Sequence, residues 1–314
     1  MNIYTDLSTY DTSASVVATG TFDGVHEGHK VLLGIVSSIA RQMGAKPLVC
    51  TFWPHPLTVL APRSAKLSLL STLDEKIELF ERAGLENLVV LPFTEAFSRL
   101  SAEQFVADIL IDKLSMKALV MGKNHHLGRN REGDAATMQR LASRYGFHLH
   151  TETLTSLGQP VSSTLIRKTL ESGQVEKAHD LLGYPYFFSG RVVGGKKLGR
   201  KLGFPTANLE VESPFKLIPL TGVYAVEVER GEERLAGMMN IGYRPTAGSQ
   251  TAQTIEVHIF DFDADLYNET VRVYFRKRIR DEMHFASLEE LIARLERDKV
   301  EISHYFTHIN KHNI

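Results

Sequence analysis

The hydrophobic period changes once along this chain, and the change divides it in two. Up to about Gly183, short apolar runs alternate with stretches whose apolar residues recur at helical spacing. After Gly183, apolar and polar residues alternate one by one. A strand covered on both faces reads as a continuous apolar run, whereas a half-buried antiparallel strand alternates. The first part therefore predicts an open parallel α/β sheet with helices on both faces, and the second a small antiparallel β-barrel. At 314 residues the chain has room for both, because a single core stops growing at roughly 250–300 residues.

Strands are expected at Val16–Thr19, Leu48–Phe52, Leu88–Leu91, Ala118–Met121 and Phe147–His150. Thr72 with Glu75 and Ser101 with Gln104 have capping-box spacing, each opening an amphipathic helix. Gly84 and Gly146 follow periodic stretches as C-terminal caps. In the second part, "GVYAVEVERGEERLAGMMNIG" reads as a hairpin, and "TIEVHIFDFD" and "ETVRVYFRKRIR" as further strands. Ile255, Val257 and Ile259 fall on one face, with Glu256, His258 and Phe260 on the other. Ser287 and Glu290 open a last helix with Leu288, Leu291, Ile292 and Leu295 as its apolar stripe. The joint falls in "ESGQVEKAHDLLGYP", which gives domains of residues 1–183 and 184–314.

Charge is balanced, with 36 Lys+Arg against 37 Asp+Glu, so no bulk field argues for a nucleic acid or a membrane surface as partner. Cys50 is the only cysteine, which excludes an internal disulfide or a zinc cluster and fits a reducing cytoplasm. The first residues lack the basic and apolar blocks of a signal peptide, and no apolar run approaches the ~20 residues that span a bilayer. A soluble cytoplasmic protein is expected; homo-oligomer formation is left open.

The stretch "TFDGVHEGHK", Thr21 to Lys30, follows the first buried strand and sets two histidines, His26 and His29, close together. A zinc-protease helix needs histidines at i and i+4, and position 30 is lysine. The flanking Gly24 and Gly28 describe a loop, not an interior. Phosphate is the better partner: a helix N-terminus offers free N–H groups, small residues admit a phosphate to the backbone, and imidazoles donate to its oxygens. A nearby anion would favour their protonated form. A second stretch, "VSSTLIRKTLESG", puts Ser162, Ser163 and Thr164 at a helix start with Arg167 a turn later. Alone it fits a plain N-cap with a solvated arginine as well as it fits a polyphosphate; together the two stretches favour nucleotide binding.

"FDGVHEGHK", "TFWPHP" and "VSSTLIR" resemble the nucleotidyltransferase signatures of bacterial bifunctional riboflavin kinase/FMN adenylyltransferases, also called FAD synthetases. "GRVVGGKKLGRKLGFPTANL", "GVYAV", "NIGYRPT" and "EVHIFDFDADLY" resemble their riboflavin kinase module, in the same order and over nearly the whole chain. The resemblance implies a Rossmann-like nucleotidyltransferase domain followed by a kinase barrel with a C-terminal helix. The activities implied are phosphorylation of riboflavin to FMN and adenylylation of FMN to FAD, with ATP as co-substrate, Mg²⁺ as cofactor and pyrophosphate released. A riboflavin kinase whose first domain only binds its ligands is the alternative.

By the same resemblance His26 and His29 brace the triphosphate, with Gly24, Gly28, Ser163, Thr164 and Arg167 at the nucleotide. Asp23 and His55 are weaker candidates at the same nucleotide: Asp23 fits equally a residue that orders the loop, and the prolines around His55 fit a simple turn. Glu256 is the base for the riboflavin hydroxyl, and Thr206 and Asn208 are the magnesium positions. Gly194, Lys196, Lys197, Gly199 and Thr206 hold the second ATP. Arg280, Glu282 and Phe285 match a stretch near the flavin, though unaided they read as a solvated strand end. In the first domain Asn124 and Arg131 fit the family's flavin pattern, but "GKNHHLG" puts His125 and Leu127 where the family commonly has aromatics. Leu127 keeps apolar surface, so flavin binding is expected to weaken by up to roughly tenfold, the loss of one aromatic contact.

Overall fold

The structure, a computed structural model, describes residues 1–60, 67–156, 158–195, 199, 202–245 and 251–312. The chain divides into two compact units, Met1–Leu165 and Ile166–Ile314.

In the first unit six parallel strands form one sheet: β1 (Asn2–Tyr4), β2 (Ser15–Thr19), β3 (Lys46–Trp53), β4 (Asn87–Pro92), β5 (Met116–Gly122) and β6 (His148–Glu152), in the order β1-β4-β3-β2-β5-β6. Val16, Val17, Leu48, Val49, Leu88 and Leu119 are fully enclosed, which is why these strands read as unbroken apolar runs. From β2 the chain builds outward through β3 and β4, then returns to the other side of β2 for β5 and β6. At such a reversal the loops leaving neighbouring strands part, and a crevice opens beyond their carboxyl ends. The histidine stretch leaves β2 at that point, and "GKNHHLG" leaves β5.

Both capping boxes form. Thr72 Oγ1 accepts from Glu75 N at 3.3 Å while Glu75 Oε2 accepts from Thr72 N at 2.9 Å. Ser101 and Gln104 repeat the exchange at 3.0 and 2.9 Å. The helix that Ser101 opens keeps α geometry only to Gln104 and widens into a π-type turn through Ile111. Gly146 caps its helix in the left-handed region. The last strand lies at His148–Glu152, later than expected, because Phe147 is drawn into the core. Neither β1 nor the hairpin β7 (Thr155–Ser156) with β8 (Gln159–Pro160) is foreseen by sequence pattern: each is too short for a period and exists only by pairing.

In the second unit β9 (Phe187–Val193), β10 (Ala207–Glu210), β11 (Gly222–Arg230), β12 (Glu233–Pro245), β13 (Thr251–Ile259) and β14 (Thr270–Arg280) close an antiparallel barrel in the order β10-β13-β12-β11-β14-β9. The expected hairpin is β11 with β12, registered from Gly222–Ile241 to Arg230–Glu233. Ser287 caps the final helix, Leu288–His312, by accepting from Glu290 N at 3.2 Å. Its stripe differs from the expected one. Leu288 is 53% exposed; of the expected stripe Leu295 packs, joined by Ile302 and Phe306, against Phe204, Val223, Met238 and Phe260. The first two turns alone could not show which face meets the barrel, because that face is set by residues farther along.

A polar anchor accompanies this packing. Asp298, with 0% exposure, lies 2.8 Å from both Arg280 of β14 and Arg294 of the same helix. Removing the carboxylate leaves two guanidinium groups beside a dry space. Asp298→Ala is therefore expected to lower the unfolding free energy of this unit by about 3–5 kcal/mol, read as a lower urea midpoint.

Two candidate active sites

The first site grows from the exit of β2. His26 is the N-cap of α1 (Glu27–Met43), and His29 follows one turn later on the same side. Their rings stack with centroids 3.6 Å apart and planes 17° from parallel. Burial, then the neighbouring His26, Lys76 and His125, hold the His29 pKa well below the ordinary histidine range. At neutral pH His29 is therefore an uncharged donor or acceptor, and a bound phosphate would have to overcome that bias before it met an imidazolium.

The turn ahead of the histidines is built around Asp23. Its buried carboxylate accepts from Leu70 N and Ser71 N, each at 3.0 Å, and from Ser71 Oγ at 3.2 Å. Gly24, at φ +80°, donates its N–H to Ser71 Oγ at 3.1 Å. The second motif reaches this turn directly: Ser163 Oγ donates to the Asp23 carbonyl at 2.9 Å. Gly28 makes the approach possible, since a Cβ there would stand 2.7 Å from Val161 Cγ1. Ser162 Oγ accepts from Leu165 N at 3.2 Å at the start of helix Ser163–Glu171. Thr164 is exposed, and Arg167 on that helix is half-buried. His55 is buried, its Nδ1 accepting from Leu57 N at 3.2 Å within a turn.

The loop after β5 places its residues unequally. Asn124 and Arg131 are exposed. His125 is half-buried, and loss of solvation, with His126 and Arg131 nearby, pushes its pKa down to about 4. Leu127, expected to face a flavin, is 4% exposed and packs in the sheet core beside Ala102 and Phe105. It exchanges backbone hydrogen bonds with Gly133 at 3.0 and 2.9 Å, which turns its side chain inward.

The second site is a row across three barrel strands. Glu256 on β13 is opposite Asn208 on β10 and Asn240 on β12. Opposed residues share a face, so a carboxylate lies between two carboxamides. Thr206 Oγ1 donates to Glu256 Oε2 at 3.4 Å. His258, two residues along β13, contacts the Pro205 carbonyl through Nδ1 at 2.8 Å and so ties the Thr206 segment to the same strand. Gly195 presses its backbone on Asn208, where a Cβ would fall 2.1 Å from Nδ2. Beside this row lies a cleft of about 630 Å³, lined by Gly194, Gly195, Thr206, Asn208, Tyr267 and, from β13, Val257 and Ile259. Gly199 sits in the turn leading to it, its carbonyl accepting from Leu202 N and Phe204 N. Lys196, Lys197 and Arg200 lie outside the described residues.

Arg280, Glu282 and Phe285 are gathered at the end of β14. The Arg280 guanidinium is 5.9 Å from the Phe285 ring and occupied by Asp298, so it is not the solvated strand end that sequence alone suggests. Glu282 Oε1 lies against Gly242. Among the described residues no group of three His, Cys, Asp or Glu could hold a metal. Thr206, Asn208 and Glu256 are oxygen donors close together, a set that suits a hard cation shared with phosphates. Sequence reasoning missed Lys76, Asn240 and His258. Only the alternation on β13 carried a signal for the last, and strand register supplies the second.

Residues 8–165 match the FAD synthetase family and residues 182–306 the riboflavin kinase family. The bifunctional riboflavin kinase/FMN adenylyltransferase of Escherichia coli K12 is 38% identical over 303 residues, 96% of each chain. The chain belongs to the bifunctional riboflavin kinase/FMN adenylyltransferase family. The family member of Bacillus subtilis is 39% identical over 300 residues, covering 95% of this chain and 94% of its own. A crystal structure from Streptococcus pneumoniae, described as a macrolide-efflux protein, covers 95% of this chain at 32% identity with a TM-score of 0.85. Among the described residues no helix is long and apolar enough to cross a membrane.

The half-buried rings of His29 and His125 give this family member an acid weakness. His29 and His125 have folded pKa values below the unfolded value, so as pH falls below about 6.5 the unfolded chain takes up their protons first. Stability present above that pH is then lost, by up to about 1.4 kcal/mol per pH unit for each ring. Urea unfolding of the first unit between about pH 7.5 and 5 should show the slope, and His125→Asn should remove that ring's share.

Proposed function

We infer that this chain makes flavin cofactors in two ATP-dependent steps, phosphorylating riboflavin to FMN and then transferring AMP to FMN to give FAD and pyrophosphate. The observation that carries this reading is that both family segments stand in one chain, matched end to end by relatives named for both reactions. The functional division is placed at Gly183, with the adenylyl transfer in residues 1–183 and the kinase in 184–314. Its lone thiol, Cys50, is buried, with its pKa pushed up to about 12, and a cytoplasmic setting suits both this and the ATP supply.

In the first step assigned to the barrel, the ribityl hydroxyl attacks the γ-phosphorus of ATP and ADP leaves. Glu256 takes the hydroxyl proton, which a poor nucleophile must lose as the new P–O bond forms. Thr206 and Asn208 would hold Mg²⁺, which when bound supplies charge neutralisation at the phosphates. Gly194, Gly195 and Gly199 bring backbone to the nucleotide, and Arg280, Glu282 and Phe285 border the flavin.

In the second step an FMN phosphate oxygen attacks the α-phosphorus in line, and the bond to the pyrophosphate oxygen breaks. Little proton transfer is needed, so catalysis consists of positioning and charge stabilisation. His26 and His29 hydrogen-bond the triphosphate, while Gly24, Gly28, Ser163, Thr164 and Arg167 hold it. Asn124 and Arg131 meet the flavin, and Leu127 supports their loop from the core.

Incubation with riboflavin, ATP and Mg²⁺, followed by chromatography, tests the whole reading. FMN and then FAD are expected; FMN alone would leave only a kinase with an idle first domain. Glu256→Ala should abolish FMN formation and spare FMN-to-FAD conversion, whereas His29→Ala should cut FAD formation by roughly 10²–10³ and spare the kinase. If either variant, still folded, loses both steps, the two sites are not separate.

A further inference from the structure

The first site contains a buried cation that none of these roles uses. Lys76, on helix Leu73–Arg82, is 1% exposed, although lysine is almost never enclosed without a partner. Its ammonium donates to the Thr21 carbonyl at 2.8 Å and stands 5.5 Å above the Trp53 ring. Thr51 Oγ1 donates to the same carbonyl at 3.3 Å, so Thr21 is held from two sides. One turn along the helix, Phe80 meets Phe22 edge-on at 5.4 Å, and Phe22 contacts the His29 ring at 5.0 Å. Lys76 thus grips the backbone, and Phe80 the side chain, of the turn that delivers the histidines.

We propose that Lys76 is a positioning residue for adenylyl transfer: its ammonium, anchored on Thr21, fixes the turn between β2 and α1 and with it the pose of the His26–His29 pair. This role rests on His29 acting in that transfer. A neutral side chain of similar length could fill the same volume, so the charge needs its own reason. Around it stand Asp23, which favours the ammonium, and His29, whose protonation the ammonium opposes. Glu75, its neighbour, is committed to the cap of Thr72. Burial against Asp23 leaves the Lys76 pKa at about 8, so the group is charged at neutral pH and loses its charge just above. A charged Lys76 holds the carbonyl firmly and adds to the burial that keeps His29 a neutral ring.

The test uses the full-length protein with Lys76→Met and Lys76→Arg. Three readings are taken: the titration of the His29 ring by NMR, kcat and KM for FMN-to-FAD conversion, and riboflavin phosphorylation as the internal control. In Lys76→Met the His29 titration should move to higher pH, and kcat for adenylyl transfer should fall about tenfold or more with KM for ATP little changed. Lys76→Arg should restore most of both. In the unaltered protein, adenylyl transfer should decline as pH rises through about 8, and the arginine variant, whose guanidinium stays charged, should not follow. The pH comparison needs only a folded arginine variant, so it stands even where Lys76→Met fails to fold. An unmoved His29 titration in Lys76→Met, an undiminished kcat, or the same alkaline decline in Lys76→Arg overturns the proposal. If His29→Ala leaves FMN-to-FAD conversion intact, the assignment of the first site fails instead, and the NMR titration still reports on the Lys76 contact.

Discussion

In the barrel the backbone of Glu256 is paired with Asn208 on one side and Asn240 on the other. That ladder fixes which side chains can meet, because a slip of one residue would turn Glu256 to the opposite face and bring Ile255 or Val257 into its place. The alternation Ile255, Val257, Ile259 seals one face in the core, so the register has no freedom and neither has the carboxylate. His258 then uses the same strand to hold Pro205, and through it Thr206, beside Glu256. One strand sets both halves of the site.

The parallel sheet reaches a comparable result by another route. Its central strands, β2 to β5, are buried on both faces and carry mostly apolar side chains, so chemistry gathers at their ends. Where β2 and β5 part, Asp23 ties the turn after β2 to the segment ahead of helix Leu73–Arg82 by collecting Leu70 N and Ser71 N on one carboxylate. The Asp23 carbonyl remains to receive Ser163, from a stretch 140 residues away in sequence. A buried acid thus organises the turn, and the neutral imidazole of His29 is part of what it presents.

Close backbone approach is common to both sites. A methyl group at Gly28 would displace Val161, and one at Gly195 would displace the amide of Asn208. Each glycine stands where two segments distant in sequence must touch for the donors to converge. The two sites differ in electrostatics. The first holds His29 and His125, which burial keeps uncharged, beside a lysine whose charge burial also weakens. The second sets a half-buried carboxylate among amides and a hydroxyl. Moving a proton from a hydroxyl asks for a base, whereas bringing two phosphates together asks for donors.

Much of this was legible in the sequence. Period alone separates the sheet from the barrel, since burial on two faces or one leaves its mark on consecutive residues. The capping boxes at Thr72 and Ser101 follow from three-residue spacing, and the motifs around His26, Ser163, Thr206 and Glu256 each carry their chemistry in residue type. Tertiary structure decided the rest. No spacing could tell that Lys76 lies inside, that Leu127 turns into the core, or that Asp298 takes the guanidinium of Arg280. Nor could it show that Asn240 stands across from Glu256. A sequence records what each residue prefers near its neighbours along the chain; which charge is stripped of water, and which partner repays that loss, depends on segments that meet only when the chain has folded.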